Sequence, residues 1–216
     1  GIRYHCVTGV QTCALPICSD FAIANDIIFN ADKTCCMIFQ SLTFKLRKIP
    51  KLYLNDKVLK YVDAHKYLGV FLCSHCKDDD DIQRQTRNFY MQANILLRKF
   101  YHCSYDVKLM LFNSYCSSMY CASLWTRYCK RSISKLRASY NNAFRRLFGY
   151  ALDCSASNML VSNHVNTFDS MWRKHIFNLY TRLGQCNNVL IVTVLSSDIF
   201  HTSAIHRHWH KMLYLL

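Results

Sequence analysis

Three short apolar runs early in the chain predict a small β-sheet. Leu52–Leu54 alternates apolar and polar residues, and Val58–Val62 and Tyr67–Leu72 are rich in β-branched and aromatic residues. Asn55–Asp56 separates the first two runs, and both residue types tolerate the left-handed backbone of a two-residue hairpin turn. Gly69 interrupts the third run, which indicates either a bulge or a close approach to the backbone. The pattern predicts a small antiparallel meander.

From residue 77 onward the apolar spacing changes from two to three or four, which predicts α-helices. The predicted helical runs are Ile82–Phe100, Val107–Trp125, Ile133–Leu147, Ser155–Val161 and Phe168–Leu183. Gly149 and Gly184 follow the third and the last run, where a glycine commonly ends a helix. Asn188–Leu195 is apolar and β-branched, so its pattern leaves helix and strand open. This order of elements predicts an α+β fold, with a small antiparallel sheet followed by a mainly α-helical bundle.

An acidic run, Asp78–Asp81, stands directly before the first predicted helix. Four carboxylates in a row are compatible with a metal site. They are also typical of a helix start, where carboxylates satisfy free backbone N–H groups and interact with the positive end of the helix dipole. Capping is the favoured interpretation, because consecutive carboxylates at a helix start cannot converge on one ion. No metal site is predicted there.

The chain is strongly basic, with a formal net charge of +14, and its thirteen acidic residues are all aspartates. Segment Ile82–Tyr150 holds twelve lysines or arginines and one acidic residue, a net charge of +11. Without glutamate, the helices cannot neutralise these cations through Glu–Lys pairs. The charge therefore predicts either a polyanionic partner or a solubilising surface.

Thirteen cysteines would suit a disulfide framework in a small secreted domain. Their number is odd, however, and Cys103, Cys116 and Cys121 fall on apolar helix faces, which favours buried free thiols in a reducing compartment. Cys73–Cys76 has the spacing of half a zinc knuckle, but no second pair follows at a suitable distance. No apolar run is long enough to span a bilayer. The predicted location is intracellular, in the cytoplasm or nucleus, without secretion and without a membrane partner.

Both ends of the sequence differ from the rest. Residues 7–17 match the translation of a common sequencing-library adapter, so residues 1–17 are predicted not to belong to the fold. A secretory signal is the competing interpretation, but Gln11 and Thr12 interrupt its apolar core. Residues 196–216 contain His206, His208 and His210. Because alternate helix positions point in different directions, the sequence predicts a frayed, poorly determined tail there rather than a metal site.

Two motifs resemble those of LINE-type (non-LTR) retrotransposon reverse transcriptases. The first is Asn30-Ala31-Asp32-Lys33-Thr34, and the second, about thirty residues later, is His65-Lys66-Tyr67-Leu68-Gly69-Val70. In that family an N-x-x-K-T strand follows the catalytic hairpin of the palm, a K-Y-L-G strand forms the primer grip, and a helical thumb comes next. The resemblance extends over roughly Ile17–Leu195. It implies a partial palm over residues 18–76 and a helical thumb and connector over residues 77–195.

The resemblance also implies roles for particular residues. Lys66, Tyr67, Leu68 and Gly69 are expected to hold the primer end. The basic thumb residues Arg131, Lys135, Arg145 and Arg146 are expected to contact the phosphates of an RNA–DNA template–primer hybrid. Lys33 is the candidate general acid toward the departing pyrophosphate. A solvated lysine beside a strand is the simpler interpretation of Lys33.

The family's catalytic aspartates, an aromatic-Ala-Asp-Asp turn and a further upstream aspartate, have no counterpart in this sequence. The Mg²⁺ ions of the full-length family enzyme are therefore not expected here, and this segment is predicted to be inactive as a polymerase on its own. Two alternatives stay open. One is a non-enzymatic basic helical module that binds nucleic acid, and the other is the non-functional product of a decayed element.

Overall fold

A computed structural model describes residues 17–18, 20–39, 49–54 and 57–214. Short paired strands precede a set of helices, which confirms the predicted α+β fold class. The described residues form two compact units. Of the described residues, the first unit contains those up to His65 together with Cys73–His75, and the second contains Lys66–Leu72 and those from Cys76 onward. Of the predicted adapter-derived segment, residues 1–17, all but Ile17 lie outside the described part.

The first unit contains very short strands, with Leu54 and Leu59 buried. Its strands are β1 (Cys35–Cys36), β2 (Tyr53–Leu54), β3 (Lys57–Val58) and β4 (Lys60–Tyr61). β2 and β3 are antiparallel, as the hairpin pattern predicts, although Asn55 and Asp56 themselves lie outside the described residues. β4 pairs in parallel with β1. The predicted three-stranded meander is therefore wrong, because the neighbour of β4 comes from the earlier N-x-x-K-T region.

The third predicted strand is a hairpin. β5 (Ala64–Tyr67) and β6 (Val70–Cys73) pair with each other. Leu68 and Gly69 form the turn between them, with φ angles of +46° and +86°. Positive φ at both central residues is what a two-residue hairpin turn requires. Of the two alternatives predicted for Gly69, a bulge or a close approach to its backbone, the structure shows the close approach, as described below.

The second unit is helical. Its helices are α1 (Asp79–Lys99), α2 (Tyr105–Cys116), α3 (Lys130–Phe148), α4 (Ala156–Ser162), α5 (Phe168–Gly184), α6 (Val189–Leu195), α7 (Asp198–His201) and α8 (Ala204–Tyr214), with a 3₁₀ turn at Ala122–Leu124. α1 packs along α3 and α2, and α5 packs on the 3₁₀ turn and α8. Segment Asn188–Leu195, for which the sequence leaves helix and strand open, forms helix α6 over Val189–Leu195. No helix in the described part of the chain is long and apolar enough to cross a membrane.

Several helix ends follow local signals. Gly149 adopts φ +73° after α3, which confirms it as the residue that ends this helix. Ser155 and Thr167 accept hydrogen bonds from the first turns of α4 and α5. The predicted helix over Val107–Trp125 is too long, because α2 ends at Cys116 and Cys121 is left-handed, with φ +61°.

The three tryptophans of the chain organise the core around the 3₁₀ turn. All three are buried, and each indole N–H donates a hydrogen bond. Trp172 donates to the Ala122 carbonyl at 2.8 Å, and Trp209 donates to the Ser123 carbonyl at 2.7 Å. Trp209 lies in α8. The sequence predicted a frayed end for this region, and the structure instead shows a helix that contributes to the core.

The cysteines and histidines match their predicted environments in part. Cys116 is a buried free thiol, and burial raises its pKa to about 12. Cys103 and Cys121 are only half-buried, and both lie outside the helices.

His208 of helix α8 packs beside Tyr128 and Trp172, where burial lowers its pKa.

Candidate nucleic-acid interface

The residues predicted to form a primer grip occupy an exposed hairpin tip in the second unit. The tip consists of residues 66–72 and belongs to the helical unit. Tyr67 is 59% exposed and Leu68 is 74% exposed. Lys66 is exposed beside them, whereas Gly69 is half-buried. The structure therefore brings all four predicted residues together on one small surface.

Tyr120 holds the turn of this tip. Its hydroxyl donates a hydrogen bond to the Leu68 carbonyl at 3.0 Å. A methyl group added at Gly69 would lie 3.1 Å from the Tyr120 ring, so the ring leaves little room for a side chain, and the φ of +86° favours glycine. Leu68 has no such freedom, and its left-handed backbone costs on the order of 1–3 kcal/mol. The contact with Tyr120 helps to offset that cost.

Asp81 connects the tip to the helical core. Only 1% of this residue is exposed. Its Oδ1 accepts from the Phe71 backbone N–H at 3.0 Å and from Arg84 Nε at 2.7 Å. Its Oδ2 accepts from Trp125 Nε1 at 2.9 Å. One buried carboxylate thus ties together strand β6, helix α1 and the end of the 3₁₀ turn.

The neighbouring aspartates stabilise a distant loop. Asp78 Oδ2 accepts from the backbone N–H groups of Thr126 and Arg127, both at 2.7 Å. Asp79 Oδ1 accepts from the Cys129 N–H at 2.9 Å and from the Ser132 hydroxyl. Asp78 precedes α1 but makes no side-chain capping bond to it. The predicted capping of α1 is therefore wrong for Asp78. Its carboxylate instead accepts from two backbone N–H groups in the segment that leads into α3.

Burial raises the pKa of Asp78, although the two backbone N–H groups that it accepts act in the opposite direction. Burial favours the neutral carboxyl, while the hydrogen bonds favour the carboxylate. The carboxyl oxygens of Asp78, Asp79 and Asp81 face three different sets of donors. This arrangement does not provide the convergent oxygen ligands that a Mg²⁺ ion needs.

A basic stripe runs along α3. It consists of Arg131, Lys135 and Arg146, which are all exposed and make no ion pair within the described residues. At 100° per residue the three positions lie within about 60° of each other around the helix axis. Fifteen residues at 1.5 Å rise separate the ends of the stripe by about 22 Å. The stripe therefore presents aligned cations over the length of several nucleotides.

Arg145 does not belong to this stripe. Its guanidinium donates to Asn142 Oδ1 at 3.0 Å and to the Cys154 carbonyl at 2.8 Å. It therefore connects the end of α3 to the loop before α4. The expectation that Arg145 projects toward a phosphate is at odds with this structural role, which sequence spacing alone cannot reveal.

Most of the twelve cations in Ile82–Tyr150 face solvent. Arg84 and Arg137 are ion-paired, to Asp81 and Asp169, and Lys108 lies over the Tyr101 ring. Eight cations are exposed: Arg87, Arg98, Lys99, Arg127, Lys130, Arg131, Lys135 and Arg146. The excess of positive charge is thus available to an external polyanion.

Lys33, the candidate general acid, lies in a turn of the first unit. Asn30 Oδ1 accepts from the backbone N–H groups of Asp32 and Lys33, both at 3.1 Å, and the Thr34 hydroxyl donates to the Asn30 carbonyl. The N-x-x-K-T motif is therefore a turn before β1, and its Asp32 carboxylate also pairs with Lys57 at 3.0 Å. Lys33 is exposed.

Two residues that hold the hairpin tip carry little signal in the sequence. Tyr120 carries no local signal, because the residues that it contacts precede it by about fifty positions. Asp81 is the last residue of an acidic run, and only the basic residue three positions later hints at its pairing.

The comparisons with known proteins add no relative. No family model, no curated protein and no solved structure matches this chain. The resemblance to reverse transcriptases rests on the motifs and on their order in the sequence.

Proposed function

We propose that this chain is part of a retrotransposon reverse transcriptase and positions the template–primer hybrid without performing catalysis itself. The observation that carries the proposal is the hairpin tip. Its K-Y-L-G residues are the ones that resemble a primer grip, and the tip presents Tyr67 and Leu68 to solvent on the helical unit.

The energetics of the tip support a binding role. Leu68 adopts a left-handed backbone conformation although its side chain contributes little to the core. Strain of this kind concentrates at functional sites, where surrounding contacts enforce it. Here Tyr120 and Asp81 supply those contacts. A rigid, exposed aromatic and aliphatic pair is suited to contact the sugar and base at the end of a strand.

The basic stripe supplies the second part of the proposed function. Phosphate contacts contribute affinity and orientation, whereas they carry no base information. Arg131, Lys135 and Arg146 are therefore assigned to the hybrid backbone. Mg²⁺ chemistry is not assigned to the described residues, because the carboxylates of Asp78, Asp79 and Asp81 are already held by N–H and O–H donors.

A second candidate function is a non-enzymatic module that binds nucleic acid of any kind. The eight exposed cations of Ile82–Tyr150 favour it. The two candidates differ in the hairpin tip, which a purely electrostatic module does not need.

A substitution at the tip separates the two candidates. Tyr67→Ala is expected to weaken binding of an RNA–DNA hybrid with a recessed primer end by about 5- to 100-fold, the range for loss of one aromatic stacking contact. Tyr67→Phe should keep most of the affinity. Tyr115→Ala is the matched control, because Tyr115 is 53% exposed on α2. Fluorescence anisotropy measures all four proteins, and equal affinities for wild type and Tyr67→Ala would favour the electrostatic module.

A further inference from the structure

A concave surface adjoins the hairpin tip. It is a cavity of about 580 Å³ between α1, α5 and the segment around the 3₁₀ turn. Asn88 lines it from α1, Asn178 and Arg182 line it from α5, and Tyr120 and Leu124 line it from the connecting segment. Tyr120 is also the residue that binds the Leu68 carbonyl. The cavity and the tip therefore share a wall.

Three polar side chains of the cavity are uncommitted. Asn88, Asn178 and Arg182 are all exposed, and none of them makes a hydrogen bond or ion pair within the described part of the chain. His175, by contrast, already contacts the Ser117 carbonyl at 3.1 Å. Two carboxamides and one guanidinium thus converge on one cavity with their donors and acceptors available.

The remaining wall is apolar and aromatic. Met119 is buried, Leu124 is partly exposed, and more than half of Tyr120 is exposed although its hydroxyl is engaged. Carboxamides bind base edges with paired donors and acceptors, guanidinium groups bind phosphates, and aromatic rings stack on bases. The volume falls in the range of about 300–1,000 Å³ that is typical of small-ligand sites.

We propose that this cavity binds one unpaired nucleotide of a strand that extends beyond the hybrid. Asn88 and Asn178 contact the base edge, Tyr120 and Leu124 contact its face, and Arg182 contacts the phosphate. The nucleotide must be unpaired, because only an unpaired base exposes its Watson–Crick edge to side chains. The inference rests on the proposed function, since it places this nucleotide next to the strand end held by Tyr67 and Leu68.

The test compares a blunt RNA–DNA hybrid with the same hybrid carrying a four-nucleotide single-stranded overhang at either end. Anisotropy titrations at fixed salt are expected to show tighter binding of one overhang, by about five- to hundredfold, the range for one stacked base. Asn178→Leu should abolish this preference without changing the affinity for the blunt hybrid. Asn88→Leu tests the same contact from the other helix.

Arg182→Gln and Arg173→Gln form a matched pair. Both arginines are exposed on α5, and nine residues at 100° each place them on opposite sides of the helix. Arg182→Gln should reduce the overhang preference, whereas Arg173→Gln should keep it. Circular dichroism verifies that each variant is folded.

The possible outcomes separate this inference from the proposed function. Equal binding of blunt and overhanging hybrids by the wild-type protein would overturn the inference and leave the proposed function standing. An overhang preference that persists in both Asn88→Leu and Asn178→Leu would also overturn the inference. Absence of binding to every hybrid would overturn both. Binding of single strands alone, lost in Asn178→Leu, would support the cavity and contradict the hybrid as the partner.

Discussion

Replacing Asp81 by asparagine is expected to lower the free energy of unfolding by about 3–5 kcal/mol, the range for removing one partner of a buried ion pair. Both Asp81 oxygens accept hydrogen bonds, from Phe71, Arg84 and Trp125. The amide group of asparagine would place N–H donors against Arg84 Nε or against Trp125 Nε1. Either orientation leaves buried donors facing each other and also leaves the Arg84 charge without its carboxylate.

Asp78→Asn is the matched control and is expected to cost about 1 kcal/mol or less, the scale of one hydrogen bond. Both backbone N–H groups reach the same Asp78 oxygen, which the asparagine carbonyl can replace. Burial raises the pKa of Asp78, so the folded state binds its proton more tightly than the unfolded state does. Stability contributed by this proton is present at low pH and is lost as pH rises through the raised pKa. Removing the charge at neutral pH therefore costs little.

Chemical denaturation at neutral pH, followed by circular dichroism, measures both variants. The unfolding midpoint should fall strongly for Asp81→Asn and only slightly for Asp78→Asn. Similar midpoints for the two variants would mean that Asp81 does not connect the hairpin tip to the core as described.

Removing the basic stripe is expected to flatten the salt dependence of nucleic-acid binding. The variant is Arg131→Gln, Lys135→Gln, Arg146→Gln. If about five phosphates are contacted, the wild-type slope of log affinity against log salt is roughly −4 to −5, from about −0.9 per contact for duplex. The loss of three contacts should reduce its magnitude by up to about 2.7. Helix α3 should persist, because glutamine is a good helix former.

The matched control removes the same charge elsewhere in the helical unit, with the variant Arg173→Gln, Lys174→Gln, Lys211→Gln. These three residues are exposed and lie outside the stripe. Long-range attraction to nucleic acid depends on the net charge of the protein. Because both triple variants lose three positive charges, any difference between their slopes reports direct phosphate contacts of the stripe. Equal salt slopes for the two triple variants would mean that the stripe acts only through the net charge of the protein and does not contact phosphates directly.

Much of the helical unit was predictable because its signals are local. The apolar face of α3 and the glycine at position 149 lie within one helix and its end, so periodicity and a single C-terminal residue suffice. Ser155 likewise precedes the helix that it caps. A helix whose apolar face and end residues are all close together in the chain can therefore be predicted from the sequence.

The contacts that build the interface connect residues far apart in the chain. Asp78 binds the N–H groups of Thr126 and Arg127, and Tyr120 binds Leu68, about fifty positions away in each case. No periodicity encodes these pairings. Charge counting likewise treated Arg145 and Arg146 alike, whereas the Cys154 carbonyl engages only the first of them. The sequence thus identifies the basic residues of α3 as a group, but it does not distinguish a structural arginine such as Arg145 from an exposed one such as Arg146.

The most direct test of the proposed function asks where the primer end lies. An RNA–DNA hybrid whose primer carries a photoreactive 3′-terminal nucleotide is bound and irradiated, and the crosslinked peptide is identified by mass spectrometry. Crosslinks are expected within residues 66–72, and none are expected there when the photoreactive group is moved to the far end of the hybrid. Primer-end crosslinks that map elsewhere, or equal labelling of the tip from both ends, would contradict the proposed function.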